Sequence, residues 1–221
     1  MLFNPRAKFE LAERLRTTGI SLGEAFSFMS SLYFRGKLAY AGTFSKTVSG
    51  ISGTLVITPC RGLLRPETQV RLSELADIVG ERIVHHNPKY RDPLERDLRS
   101  LSEAIGQQFR VVLLGSIATK KYVPLLLEIL GERLLVPRAF IGLGNLSRGG
   151  LLLRSSRERS ELTMYPRNGR SRRAPDRAPS LYQKRIRFVR ISTKSSCIHC
   201  LIALPFEQEA PRHCCSASNR H

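Results

Sequence analysis

Phe109-Arg110-Val111-Val112-Leu113-Leu114, then Gly115-Ser116, then an apolar helical pattern to Leu130, then Arg133-Leu134-Leu135-Val136, decides the fold class of this 221-residue chain. A short Val- and Leu-rich run bounded by a Gly-Ser turn reads as a buried strand. A second short apolar run follows after a helix-length connection. Strand, helix and strand in that order predict a right-handed parallel crossover and a sheet covered by helices. The expected fold is therefore α/β, a small and mostly parallel sheet with helices on both faces.

Working outward, Thr54-Leu55-Val56-Ile57-Thr58 is a second buried strand, and Pro59 to Pro66 reads as an irregular loop at its C-terminal end. Residues 5–17 read as a helix stopped by Gly19. Ser21 and Glu24 have capping-box spacing. The helix they open carries Phe26, Phe28, Met29, Leu32, Phe34 and Leu38 to about Ala41, and its aromatic residues, with Tyr33, read as core. Leu72 to Val79 is a short helix closed by Gly80. Asp92-Pro93-Leu94-Glu95 reads as a helix start, Asp at the cap and Pro at the first position. Leu94, Leu98, Leu101 and Ile105 then recur at helical spacing up to Gly106. A helix is expected from about Thr119 to Leu130. Gly142 to Gly150 reads as a glycine-rich loop, with helix resuming over Leu151–Arg154.

Composition changes near Arg154. Residues 1–153 hold 21 Lys and Arg against 13 Asp and Glu, a charge of +8, and the rest hold 15 against 5, a charge of +10. The expected organisation is an α/β domain over 1–155 and a largely disordered, basic tail over 156–221. Only the tail's end offers an apolar cluster, Ile198, Leu201, Ile202, Leu204 and Phe206, a poor basis for a core of its own. A sequence pI near 10.6 favours anionic partners, nucleic acid first and an anionic membrane surface second. Four of five cysteines lie in the tail, unlike a secreted disulfide framework. No run is long enough to span a membrane, and the first residues lack a signal-peptide pattern. The expected location is cytoplasmic, with no membrane partner and no cofactor.

Three glycine-containing loops placed after strands could bind an anion. The first holds Cys60, Arg61 and Arg65, and loops at the C-terminal edge of parallel strands are where α/β proteins take ligands. Two arginines there suit a carboxylate or phosphate, and Cys60 is a candidate nucleophile. The second is Gly115-Ser116 with Lys120 and Lys121, read as a strand-to-helix turn whose free N–H groups attract anions. It lacks the further glycines and the Lys-Ser/Thr ending of a nucleotide fingerprint. The third is Gly142, Gly144, Asn145 and Arg148. His85-His86 reads as a solvated loop. In the tail, Cys197 and Cys200 have zinc-knuckle spacing, with His213, Cys214 and Cys215 as a cramped second half.

Leu32-Tyr33-Phe34-Arg35-Gly36-Lys37-Leu38-Ala39-Tyr40-Ala41, then Arg61-Gly62-Leu63-Leu64-Arg65-Pro66, then Lys121-Tyr122-Val123-Pro124-Leu125-Leu126, then Gly142 and Gly144 follow in one order. Over residues 30–150 this series resembles uncharacterised bacterial α/β domains grouped with the YaaA-type peroxide-stress family. The resemblance implies a cytosolic α/β domain associated with DNA or nucleobase metabolism. The N-terminus departs from that pattern, reading as helix where such domains open with a strand. The leading expectation is binding of nucleic acid or nucleotides through Arg61, Arg65, Gly115, Ser116, Lys120, Lys121, Gly142, Gly144, Asn145 and Arg148. The alternatives are an enzyme acting on a small nucleobase or phosphorylated substrate, and an interaction module whose tail binds polyanions.

Overall fold

The computed structural model describes residues 2–47, 50–81, 86–117, 119–167 and 199–205, the last by backbone. Among them are the helices α1 (Glu10–Thr17), α2 (Leu22–Met29), α3 (Ser31–Phe44), α4 (Leu72–Gly80), α5 (Pro88–Ile105), α6 (Val123–Leu130) and α7 (Asn145–Glu158). The strands are β1 (Ile20–Ser21), β2 (Thr54–Ile57), β3 (Leu63–Leu64), β4 (Gln69–Val70), β5 (Phe109–Leu114), β6 (Leu134–Pro137), β7 (Met164–Pro166) and β8 (His199–Pro205). β1 and β4 form a small ribbon, and the other six form one sheet in the order β3-β2-β8-β5-β6-β7.

The β5-α6-β6 crossover gives a parallel pair, Val111 beside Leu134. The rest of the sheet corrects the expectation of mostly parallel strands: β2–β3, β2–β8, β5–β8 and β6–β7 are all antiparallel. The first reversal has a local cause. The Thr58 N–H donates to the Gly62 carbonyl at 2.9 Å, so the chain turns back at once and Leu63–Leu64 pairs with β2. The stretch expected as an irregular loop is the return of a hairpin.

The composition break at Arg154 falls inside α7, and both β7 and β8 come from beyond it. Described structure thus continues beyond residue 156 through β7. Residues 168–198 and 206–221 lie outside the described residues.

Residues facing one another across a sheet share a face. Val56, Val112 and Leu114 join a core with Leu15, Leu22, Phe26, Phe34, Leu75 and Leu152, from α1 to α4 and α7. Ile57, Val111, Leu113, Leu134 and Val136 join a second core with Leu94, Leu98 and Leu126, from α5 and α6. Arg133 bolts this second layer in place. Its buried guanidinium donates to the Gly106 carbonyl at 2.7 Å, to the Ser102 carbonyl at 3.3 Å and to the Ser102 hydroxyl, satisfying the C-terminal end of α5.

α3 and α7 pack backbone to backbone. A Cβ on Gly36 would stand 2.7 Å from the Gly149 carbonyl oxygen, and one on Gly149 would stand 2.8 Å from the Tyr33 Cα. Gly149 therefore lies inside a helix because only glycine fits the crossing, and the glycine-rich loop expected over 142–150 is helical from Asn145 onward. Thr43 and Ser156 hydroxyls meet at 2.6 Å across the same interface. The Tyr40 hydroxyl accepts the Leu162 N–H at 3.1 Å and ties down the chain after α7.

Other local readings shift for identifiable reasons. The Ser21–Glu24 capping box forms with both bonds, but the helix it opens breaks at Ser30 into α2 and α3. α5 starts at Pro88, because the Asn87 side chain accepts from the Lys89 N–H at 3.1 Å and Pro88 takes the first turn. Asp92 is left exposed, and Pro93 lies within the helix. Phe26 and Phe34 are core, whereas Phe28 is 46% exposed and stacks on Phe9 with ring centroids 5.3 Å apart.

Two neighbouring glycines of α7 give opposite outcomes. Gly149→Ala should lose about 1–3 kcal/mol through overpacking. Gly150→Ala, where a Cβ meets nothing within 4 Å, should gain about 0.5–1 kcal/mol in helix propensity. Thermal melts of both variants check the pair. A second expectation concerns alkaline pH. Burial pushes the Tyr40 phenol up to about 12, above about 10 in an unfolded chain. Its contribution is whole below about pH 10 and is lost as pH rises towards about 12, since the unfolded chain ionises first. Denaturant titrations of Tyr40→Phe should show a shallower fall in stability across that window.

Candidate anion-binding edge

β2 and β5 both run antiparallel to β8, and β6 runs parallel to β5, so β2, β5 and β6 share one direction. The loops 58–62, 115–122 and 138–144 therefore leave the sheet at one edge. Strand spacing sets β2 about 10 Å from β5 and about 14 Å from β6.

The first loop is already satisfied internally. The Thr58 hydroxyl donates to the Gly62 carbonyl at 3.0 Å and accepts the Arg61 N–H at 3.1 Å. The Asp97 carboxylate accepts the Leu63 N–H at 2.9 Å, and a Cβ on Gly62 (φ +62°) would run into that carboxylate. An acidic side chain thus stands where a bound anion was expected. Arg61 pairs with Glu74 at 3.3 Å. The Glu74 carboxyl is held below its ordinary range, first by the Arg71 backbone N–H and then by Arg61. Arg65 is exposed and donates to the Gly50 carbonyl at 3.4 Å.

Cys60 is half-buried, its Sγ 4.0 Å from the Asp77 carbonyl oxygen. Burial pushes its thiol up; Arg61 and Lys89 oppose the shift, and Glu81 and Asp77 add to it. Catalytic cysteines need the reverse, an electropositive site that favours thiolate.

In the second loop the helix begins at Val123, seven residues after Ser116. Gly115 and Ser116 are thus not at a helix N-terminus, and Lys120 and Lys121 precede α6 where they were expected in its first turn. Pro124 also removes a donor from that turn. The buried Tyr122 hydroxyl donates to the Ser116 carbonyl at 2.9 Å and closes the loop, and Arg167 Nε reaches the Ile117 carbonyl at 3.2 Å. Both lysines are exposed.

The third loop turns at Gly142 (φ +76°), and Gly144 is the N-cap of α7. Asn145, Leu146 and Ser147 are exposed on a first turn that has no side-chain cap and no carboxylate. Arg148 points back, donating to the Phe140 carbonyl at 2.8 and 3.2 Å with its guanidinium 5.2 Å from the Phe140 ring centre. Sequence reasoning passed over Arg138, exposed directly after β6. Its signal was position alone, a cation just beyond Val136-Pro137. Lys37 is 2% exposed, its Nζ 4.0 Å from the Tyr33 ring centre.

Cys200 lies in β8, in register with Val56 and Leu114. Cys197, His213, Cys214, Cys215 and His85 lie outside the described residues. Among the described residues, no three His, Cys, Asp or Glu side chains group so as to hold a metal, and no helix is long and apolar enough to cross a membrane. Comparison with protein families, with curated proteins and with solved structures gives no match for this chain.

Because burial holds the Cys60 thiol protonated, its alkylation by iodoacetamide should follow a pH midpoint above that of a free cysteine. Peptide-level mass spectrometry, which separates Cys60 from the other four cysteines, reads this directly. Arg148→Ala should cost about 0.5–1.5 kcal/mol of stability, since the Phe140 carbonyl loses both guanidinium N–H groups and keeps only the Leu143 N–H at 3.4 Å; a denaturant midpoint checks it.

Proposed function

We propose that this chain is a cytoplasmic protein that binds nucleic acid or nucleotides through the sheet edge carrying the loops after β5 and β6. The observation that carries this reading is one of charge. Residues 115–122 and 137–148 contain Lys120, Lys121, Arg138 and Arg148 and no Asp or Glu. Three of these, Lys120, Lys121 and Arg138, are exposed. Cations gathered without carboxylates, beside the partly positive N-terminal end of α7, favour a polyanion over a protein partner of mixed charge. Arg61 leaves the binding set because Glu74 and Asp97 neutralise its surroundings, and Arg148 because it braces Phe140. The resemblance of residues 30–150 to YaaA-type domains supports the same chemistry. An enzyme built on Cys60 is the weaker reading, given a thiol held protonated.

The test is binding of single-stranded and duplex DNA by the full chain across a salt series. The triple variant Lys120→Ala/Lys121→Ala/Arg138→Ala should lower the slope of log K against log salt by about 2–3, close to one per phosphate contact. Arg61→Ala should leave that slope unchanged. An unchanged slope in the triple variant would place the binding elsewhere, with the 15 Lys and Arg beyond residue 153 as the next suspects.

A further inference from the structure

Among the described residues, the exposed large apolar side chains are Phe3, Phe9, Phe28, Ile141 and Leu146. They fall in two stretches far apart in sequence, and the α3–α7 crossing brings both to one end of the molecule. Tyr33 lies against Gly149 and Thr43 meets Ser156, so the two helices run in the same direction and start at the same end. Only Ser30 separates α2 from α3, which sets Phe28 beside the start of α3. Leu146 stands in the first turn of α7. Through Tyr33 and Gly149, chain geometry holds the Cα atoms of Phe28 and Leu146 within about 20 Å of each other. Phe140, in the loop after β6, meets Tyr33 with ring centres 6.3 Å apart. The aromatic end of α2 thus adjoins the cationic sheet edge.

Phe9 and Phe28 form a pair that core packing does not explain. One ring comes from the N-cap of α1 and the other from α2. They stack at 5.3 Å with planes 22° apart, yet remain 37% and 46% exposed. Aromatic rings left in water beside a cationic edge suit a ligand with flat apolar faces on an anionic chain. Unpaired nucleobases on a phosphate backbone have that chemistry. In a duplex the base faces are already stacked on one another, so protein rings reach only base edges. A protein partner of mixed charge would meet no carboxylate over residues 115–122 and 137–148. At the pair itself, Glu10 and Glu24 face Arg14 at 4.0 and 3.2 Å, and the exposed Arg6 and Lys8 outnumber Glu13.

We propose that a single-stranded nucleic acid crosses this end of the molecule, its phosphates on Lys120, Lys121 and Arg138 and an unpaired base stacked on the Phe9–Phe28 pair. Ile141 and Leu146 offer the strand apolar surface beside those cations. The inference rests on the function proposed above and narrows it. The loops supply charge, and the aromatic pair supplies the preference for unpaired bases.

The test measures binding of the full chain to three probes: an oligo-dT strand, an abasic strand of equal length and a duplex of equal length. The chain has no tryptophan, so Phe28→Trp places a single fluorescent reporter in the pair. Oligo-dT should quench it, and the abasic strand, which carries the same phosphates, should not. Phe9→Ala/Phe28→Ala should weaken oligo-dT binding at least about fivefold and leave abasic and duplex binding unchanged. Three results overturn this inference and leave the cationic edge standing: a reporter that bound oligo-dT does not quench, a double variant that binds oligo-dT like the parent, or a parent that favours the duplex. A parent that binds none of the probes overturns the proposed function as well. Should the double variant fail to fold, the quenching of Phe28→Trp decides.

Discussion

The absence of a side chain at Gly36 and at Gly149 fixes how the rest of this molecule is arranged. With hydrogen atoms facing each other, α3 and α7 touch through their backbones, and a methyl group on either side would stand under 3 Å from a main-chain atom. That contact places α7, and α7 in turn places what surrounds its start. Arg148 reaches the Phe140 carbonyl from the next residue along the helix. Phe140 meets Tyr33 edge to face at 6.3 Å, and Lys37, one turn on from Tyr33, lies over the same ring. The loop after β6 is therefore held between the helix that follows it, through Arg148, and α3, through Tyr33. Its geometry is a property of the tertiary packing and not of the loop.

What could be read from sequence follows from how local each cause is. The capping box at Ser21, the Leu94–Ile105 stripe and the β5-α6-β6 crossover rest on spacings within a few residues or on one helix-length connection, and each appears. The α5 start was misplaced because two Asn/Asp-Pro pairs compete, and the earlier one holds the cap. The Leu63–Leu64 return strand is two residues long and depends on a turn closed by Thr58. Both are local, but the signal is too short to separate from a loop. The glycines of α7 were ambiguous in principle. Glycine marks a loop and also a close helix crossing, and only the partner helix distinguishes the two. The apolar cluster at 198–206 was visible, but nothing near it in sequence names β2 and β5 as its neighbours.

The candidate site shows the same division. Finding the three loops needed only strand order, and they do share an edge. Finding which cations are available there needed partners that sequence does not supply. Arg61 faces Glu74 from thirteen residues away, and Arg167 holds the Ile117 carbonyl across fifty. A net charge of +18 overstates what the described surface offers to an anion. Several arginines of this chain serve as donors to its own carbonyls, the role for which a rigid five-donor fork suits them best.

The alternation of β2, β5 and β6 between two cores has a kinetic consequence. α5 and α6 attach to the sheet through one set of alternating residues, and their polar fastenings run through Arg133 and through Asp97, which accepts the Leu63 N–H of β3. α3 and α7 attach through the other set. Such a layered body opens in parts, each layer with its own free energy, before it opens as a whole. The α3–α7 layer is in addition knit within itself by its backbone crossing, so the α5–α6 layer is the one expected to open in smaller parts. Excursions of that layer would expose the apolar side of β5 without disturbing the helix that braces the loop after β6.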